Sequence, residues 1–159
     1  MPAEEDIKQE LLSKFSYLQD HISITRPRRI FLEVNYSNFP EVFDYAVKLL
    51  KFPHLCTITG LDEQENLSFI YHLGHNSGVL LNLKTSVPKE NPVLKTVISY
   101  FPGAETYERE LVDLLGVKVE GLPAGNRYPL TDDWPAGEFP LRKDWKPSGE
   151  KEGEVDKNA

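Results

Sequence analysis

What the chain has little of narrows its chemistry first. It carries one cysteine, Cys56, among 159 residues. No intramolecular disulfide can form, and no group of thiolates stands at the spacing of an iron–sulfur site. Long hydrophobic runs are missing: nothing approaches the roughly 20 apolar residues of a membrane helix. The N-terminus has no apolar signal core. The expectation is an intracellular protein that meets a membrane only through partners. A basic face is missing too. With 25 acidic residues against 18 Lys and Arg the formal charge is −7, the wrong sign for a nucleic-acid binder. Internal repeats and low-complexity blocks are absent.

What is present reads as one domain with a long extension, on a chain large enough for a real core. Residues 3–20 read as a helix, with Ile7, Leu11, Phe15 and Leu18 on one stripe and acidic residues in the first turn. Segments 21–25 and 30–36 read as strands around a turn at Arg26-Pro27-Arg28, and Ile30, Leu32, Val34 and Tyr36 share one face of the second. Asn38, with Glu41 three residues on, resembles a capping box opening a second helix that Pro53 closes. Strands at 55–61, 67–73 and 79–84 suit an antiparallel meander. Periodicity does not decide between helix and strand for 93–100. A charged helix follows, with Tyr107, Leu111, Leu114 and Leu115 as its apolar stripe and Glu105, Arg109 and Asp113 at i+4 steps on another face. Gly116 ends it as a left-handed residue would. The pattern predicts an α+β fold: helices packed on one face of a mostly antiparallel sheet, with a long irregular C-terminal arm.

The arm has no period. Gly121, Gly125 and Gly137 alternate with Pro123, Pro129, Pro135, Pro140 and Pro147, so neither helix nor ladder can propagate far. Both tryptophans, Trp134 and Trp145, nevertheless lie in it, with Tyr128, Phe139, Arg127, Arg142 and Lys143. An aromatic- and Arg-rich segment of this kind needs something to bury it, its own domain or a partner. The expected division is 1–116 as the α+β domain, 117–147 as a partner-wrapping arm ordered only in a complex, and 148–159 as a charged, disordered tail.

Several blocks in this region occur in a fixed order: Glu108-Arg109-Glu110, Asp113-Leu114-Leu115-Gly116, Gly121, Pro123 and Arg127, Asp132-Asp133-Trp134, and Pro140-Leu141-Arg142-Lys143-Asp144. This run resembles the 30-kDa subunit of respiratory complex I, a module shared with membrane-bound nickel–iron hydrogenases and related archaeal complexes. Quinone-reducing members usually carry His where Leu122 stands and two consecutive basic residues where Asn126-Arg127 stands. Gly121-Leu122-Pro123 with Tyr128-Pro129-Leu130 is more similar to the hydrogenase-like branch.

The resemblance implies a non-catalytic structural subunit in the peripheral arm of a membrane-bound, ferredoxin-linked, ion-translocating oxidoreductase, on the cytoplasmic side of the membrane. Its implied partners are the large catalytic subunit and the small iron–sulfur subunit, with membrane subunits reached indirectly and no nucleic acid. Cofactors would be absent from this chain; iron–sulfur clusters, and a nickel–iron centre in the hydrogenase-like case, would belong to the partners. The implied partner-binding residues are Glu108, Arg109, Glu110, Asp113, Arg127, Tyr128, Asp132, Asp133, Trp134, Leu141, Arg142, Lys143, Asp144 and Trp145. Arg109 is expected to form an interfacial or buried ion pair, with a guanidinium able to bridge two carboxylates at once. The alternatives are the corresponding subunit of an NADH- or other donor-linked quinone oxidoreductase, or of a ferredoxin-linked sulfur-reducing complex. A ferredoxin-binding module is disfavoured, because an acidic protein repels an acidic ferredoxin.

Read without the resemblance, a few side chains suggest a stand-alone enzyme. Asp132 and Asp133 are adjacent carboxylates, but neighbours in extended chain point to opposite faces, and a turn in which they cap backbone amides is the better expectation. His72 and His75, with His54 or Cys56, suggest a metal, yet the spacing places no third ligand. Arg142 and Lys143 offer two cations with no Gly-rich loop before a helix, which is thin for a phosphate site. Cys56 is expected to be a small buried core residue.

Overall fold

The computed structural model describes residues 3–147; the tail expected to be disordered lies outside them. The order is α1 (Ala3–Lys14), β1 (Ile22–Arg26), β2 (Arg29–Glu33), α2 (Phe39–Lys48), β3 (His54–Asp62), β4 (Asn66–Gly74), β5 (Leu80–Pro88), β6 (Val93–Lys95), α3 (Ala104–Leu115) and β7 (Lys118–Glu120). Five strands form one sheet in the order β1-β2-β5-β4-β3. Only the β2–β5 pairing in it is parallel. This is the α+β architecture the pattern predicts.

Alternation decides the faces. The register sets Ile30 and Leu32 beside Leu81 and Leu83, these beside Leu73 and Tyr71, and Tyr71 beside Ile58. That face is apolar and carries the helices. From α2, Phe39 and Phe43 pack on Tyr71 at ring-centroid distances of 4.7 and 5.5 Å. From α3, Leu111 and Leu115 come down on Gly60, where any side chain would collide with them. The opposite face holds polar groups that satisfy one another: Ser68 bonds Ser86 at 2.7 Å, and His72 lies between Thr59 and Asn82.

Several boundaries differ from expectation, each for a local reason. α1 stops at Lys14 rather than running to residue 20, because Phe15 leaves helical geometry (φ −128°, ψ 74°) and Ser16–Leu18 tightens into a 3-10 turn. Phe15 and Leu18 stay buried, so the stripe is real although the helix is shorter. β2 ends at Glu33. The capping box at Asn38 does not form: its side chain makes no cap hydrogen bond. Backbone N–H groups of Asn38 and Phe39 both donate to Asn35 O instead, and Pro40 occupies the first turn.

The undecided stretch 93–100 is a three-residue strand followed by a turn, and β6 pairs in parallel with β7. Its β7 strand, preceded by Val117 at 2% exposure, lies inside the segment expected to carry no ladder. The folded body therefore extends through Glu120. Cys56 is exposed, not a core residue. It sits where the β3–β4 register slips between Leu55 and Thr57, on a strand at the sheet's edge.

Thr85 is the one buried polar side chain among the described residues left without a partner. It faces the apolar side opposite Phe69 at 0% exposure, and its hydroxyl finds no acceptor. A buried hydroxyl that makes no bond carries its desolvation cost uncompensated. Thr85→Val keeps the shape and removes that cost, so denaturant unfolding should show stabilisation of about 1 kcal/mol. A loss of stability would mean that the hydroxyl has an unseen partner.

Candidate interaction site

Helix α3 is held from two sides. Leu111 and Leu115 face the sheet, while the polar groups expected to meet other chains mostly meet this chain's own arm. Asp113, 7% exposed, accepts from Arg127 Nε at 3.2 Å through one oxygen and from Leu130 N at 3.1 Å through the other. Arg127 reaches on to Trp134 O at 2.9 Å, a two-point use of the planar guanidinium. Arg109 does not bridge two carboxylates. It pairs with Glu105 at 2.8 Å and donates to Pro123 O at 2.8 Å, with Gly125 so close that any side chain there would strike the guanidinium. A carbonyl of the arm has taken the place of the second acid.

The end of α3 is closed by the arm. A helix leaves its last carbonyls without internal donors. Here Leu114 O accepts from Leu141 N at 3.1 Å and Leu115 O from Arg142 Nε at 2.7 Å. A cation at this end also meets the negative pole of the helix. Gly116, at φ +71°, turns the chain as expected, and a Cβ there would stand 2.5 Å from the Phe139 ring. Arg142 lies over that same ring at 4.9 Å. Trp134 donates to Glu138 O at 2.9 Å, Trp145 donates to the Glu138 carboxylate at 3.1 Å, and the two indoles sit 5.7 Å apart.

Asp62 makes the last fastening. Its carboxylate accepts from Gln64 N, from Lys143 N and from Lys89 Nζ, each at 2.8 Å, and Lys89 also pairs with Asp144 at 2.9 Å. Burial pushes the Asp62 pKa up, but the Lys89 ammonium and the two amides outweigh it and hold the group at about 2. Neither Asp62 nor Lys89 stands out in the sequence. The contact to Lys143 spans 81 positions, and no local signal announces it.

Glu108 turns inward at 1% exposure. It accepts from Thr96 Oγ1 at 2.5 Å and from Val97 N at 2.7 Å, with burial raising its pKa against those two bonds. Both oxygens are spent inside the chain, so Glu108 leaves the set of residues that could meet a partner. Outward-facing groups are Tyr128 and Leu141, about half exposed, and the exposed Asp132 and Asp133. Asp133 bonds Thr131, which holds its carboxyl below the usual range. Glu110 and Leu141 line a shallow groove of about 230 Å3 with Thr57, Thr59 and Leu114, between β3 and α3.

His72 and His75 are engaged by separate neighbours, and among the described residues no three His, Cys, Asp or Glu side chains gather as a metal site. No helix among them is long and apolar enough to cross a membrane.

The fold sets the class: an α+β body whose charged helix fastens its own irregular arm. The chain belongs to the family described as respiratory-chain NADH dehydrogenase, 30 Kd subunit, matched over residues 32–151. It is 34% identical over 143 residues to a subunit of the F(420)H(2) dehydrogenase of Methanosarcina mazei, covering 88% of this chain and 90% of that one. It is 31% identical over 122 residues to the beta subunit of the membrane-bound hydrogenase of Pyrococcus furiosus, covering 74% of this chain and 70% of the other. Among solved structures, a chain of the membrane-bound sulfane sulfur reductase, an archaeal respiratory membrane complex, superposes with a TM-score of 0.77 at 28% identity, over 98% of this chain and 95% of that one. The trypsin-resistant fragment of Nqo5 gives 0.64 at 25% identity, over 76% of this chain and 98% of the fragment.

Two outcomes check the fastening. Asp62→Asn should speed tryptic cleavage at Arg127, Arg142 and Lys143 while leaving the sheet folded. The Asp62 carboxyl is depressed from 3.8 to about 2 on folding. Its stabilisation is therefore complete above the ordinary value and is lost as pH falls through the folded one. The stability gap between wild type and Asp62→Asn should thus narrow between about pH 4 and pH 2, and a pH-independent gap would refute this account. Secondly, Gly116→Ala meets both a positive φ and the Phe139 ring, whereas Gly137→Ala, at φ +79°, meets open space. Denaturation should show a loss of about 1 kcal/mol for Gly137→Ala and distinctly more for Gly116→Ala. Equal losses would mean that Phe139 does not pack on the helix end.

Proposed function

We propose that this chain is a non-catalytic structural subunit in the peripheral arm of a membrane-bound, complex I-related oxidoreductase. It docks the large catalytic subunit and the small iron–sulfur subunit on the cytoplasmic side of the membrane. The observation that carries this reading is family membership across residues 32–151, joined to an arm whose hydrogen-bonding groups are largely consumed internally. Such an arm is a prepared surface: its polar groups hold its shape, and its outward side chains are free for another protein. Tyr128, Leu141, Asp132, Asp133 and Glu110 would make the contact, with Arg109, Asp113, Arg127, Trp134, Arg142, Lys143, Asp144 and Trp145 holding the surface in place.

Preorganisation changes the energetics of docking. An arm that orders only on binding loses backbone freedom of about 1–2 kcal/mol per residue at that moment. An arm already seated on α3 has met that cost during folding, so the contact made by Tyr128 and Leu141 converts more fully into affinity. Electron carriers would reside in the partners: iron–sulfur clusters in the small subunit, and a nickel–iron centre in the large one if it is hydrogenase-like. The resemblance at Leu122 and at Asn126-Arg127, with the similarity to the Pyrococcus hydrogenase and to the sulfur reductase, supports a hydrogenase-like assembly, for which the resemblance implies ferredoxin linkage and ion translocation.

Purification of the tagged chain from its native membranes in mild detergent should bring the large and small subunits with it. Stoichiometric nickel would fix the hydrogenase form; a large subunit without nickel would point to a sulfur or quinone reductase. Tyr128→Asp with Leu141→Asp should leave the isolated chain as stable as wild type and lower recovery of the large subunit about tenfold or more. Recovery of the wild-type chain alone and monomeric would overturn the reading.

A further inference from the structure

The two-residue turn between β1 and β2 is built against local preference. Pro27 sets its first central position, and Arg28 takes φ +61° at the second, where glycine or asparagine ordinarily sits. A non-glycine residue held in the left-handed region is a strained choice that invites a reason. The turn's own bonding does not supply one. Leu80 N and Arg29 Nη1 both donate to Arg28 O at 2.9 Å, and Glu4 on α1 accepts from Arg28 N at 3.1 Å. Glycine at position 28 could make both backbone contacts. The Arg28 guanidinium only rests near Gly78 in the adjoining β4–β5 turn.

Charge gives the second observation. Arg26 and Arg29 face each other across the hairpin, so three guanidiniums stand within four residues at one end of the sheet. Among the described residues none of the three forms an ion pair. Lys48, Lys84, Lys89, Arg109, Lys118 and Arg127 do, while lysines such as Lys51 and Lys95 do not. What sets the tip apart in a chain of net charge −7 is the crowding of three guanidiniums into four residues with no acid paired to any of them. The acid beside it, Glu4, is spent on backbone amides, first its own and then that of Arg28, which hold it below the usual carboxylate range; the Arg28 charge adds the smallest pull.

We propose that the tip formed by Arg26, Arg28 and Arg29 is a carboxylate-binding knob that grips an acidic segment of a neighbouring polypeptide in the assembly. This rests on the subunit reading above. A guanidinium presents a planar pair of donors that matches one carboxylate, and short-range pairing of this kind survives salt better than a diffuse field. A membrane surface or a nucleic acid presents an extended anionic field instead. Glu4, Glu5 and Asp6 at the start of α1, and the acidic body behind them, repel such a field. Three guanidiniums on a narrow turn fit a few discrete acids.

The test uses the intact assembly purified through a tag on this chain. With Arg26→Lys and Arg28→Lys, treatment with a carbodiimide, which joins amines directly to carboxylates, should link the tip to Asp or Glu of another subunit, as read by mass spectrometry. The internal Lys84–Glu63 pair, 3.0 Å apart, serves as the positive control. Arg28→Gly should keep or raise the stability of the isolated chain, and Arg26→Glu with Arg28→Glu should lower its retention in the assembly about tenfold. An intact assembly in which the tip links only to Glu4, or in which charge reversal leaves retention unchanged, overturns the knob alone. Arginine-dependent co-sedimentation of the chain with phosphatidylglycerol vesicles also overturns it, in favour of a lipid surface. Recovery of the chain without neighbours overturns both the knob and the subunit reading.

Discussion

Asp113 is the point at which helix and arm become one body. It lies near the end of α3, almost fully buried, and its two oxygens hold Arg127 and the amide of Leu130. A buried carboxylate without such partners would be costly. Arg127 is 30% exposed and keeps a second bond to Trp134 O. The dependence therefore runs from Asp113 to the arm, which supplies both partners of the buried acid and is held in place by them. The bonds to Leu114 O and Leu115 O complete the same seam at the helix end, and Asp62 closes it at the sheet.

The architecture was legible in the sequence where alternation and periodicity were strong. Ile30 and Leu32, the meander of β3 to β5 and the Leu111–Leu115 stripe of α3 all announce their faces. The boundaries that went astray were settled by interactions that periodicity cannot express. α1 is cut short by the backbone of Phe15, and Asn38 is no cap because its own backbone is already helical (φ −96°, ψ −14°) with its N–H bonded to Asn35 O. β7 is three residues long, too short to show an alternation, and is visible only through its partner β6. Cys56 reads as a core residue from its apolar neighbours, yet an edge strand with a bulge exposes it.

At the interaction site, several residues that stood out in the sequence are engaged by groups of this same chain. Arg109, Arg127 and Arg142 stood out as cations in and beside an irregular segment, which was expected to wrap a partner and to be ordered only in a complex. Three of their acceptors are backbone carbonyls, of Pro123, Trp134 and Leu115. Every residue carries such a group, so a string of letters cannot show which one is aimed. Asp62 and Lys89 went unnoticed for the related reason that their role exists only once positions 62, 89 and 143 are brought together.

The seam along α3 also bears on how such a chain can be reused. Because the arm's constraints run inward, to one helix and one strand end, its sequence answers chiefly to its own body. The large apolar side chains it turns outward are few, Tyr128 and Leu141 among them. A module constructed this way can be inherited by assemblies of differing chemistry, exchanging its rim while its hidden joinery stays the same.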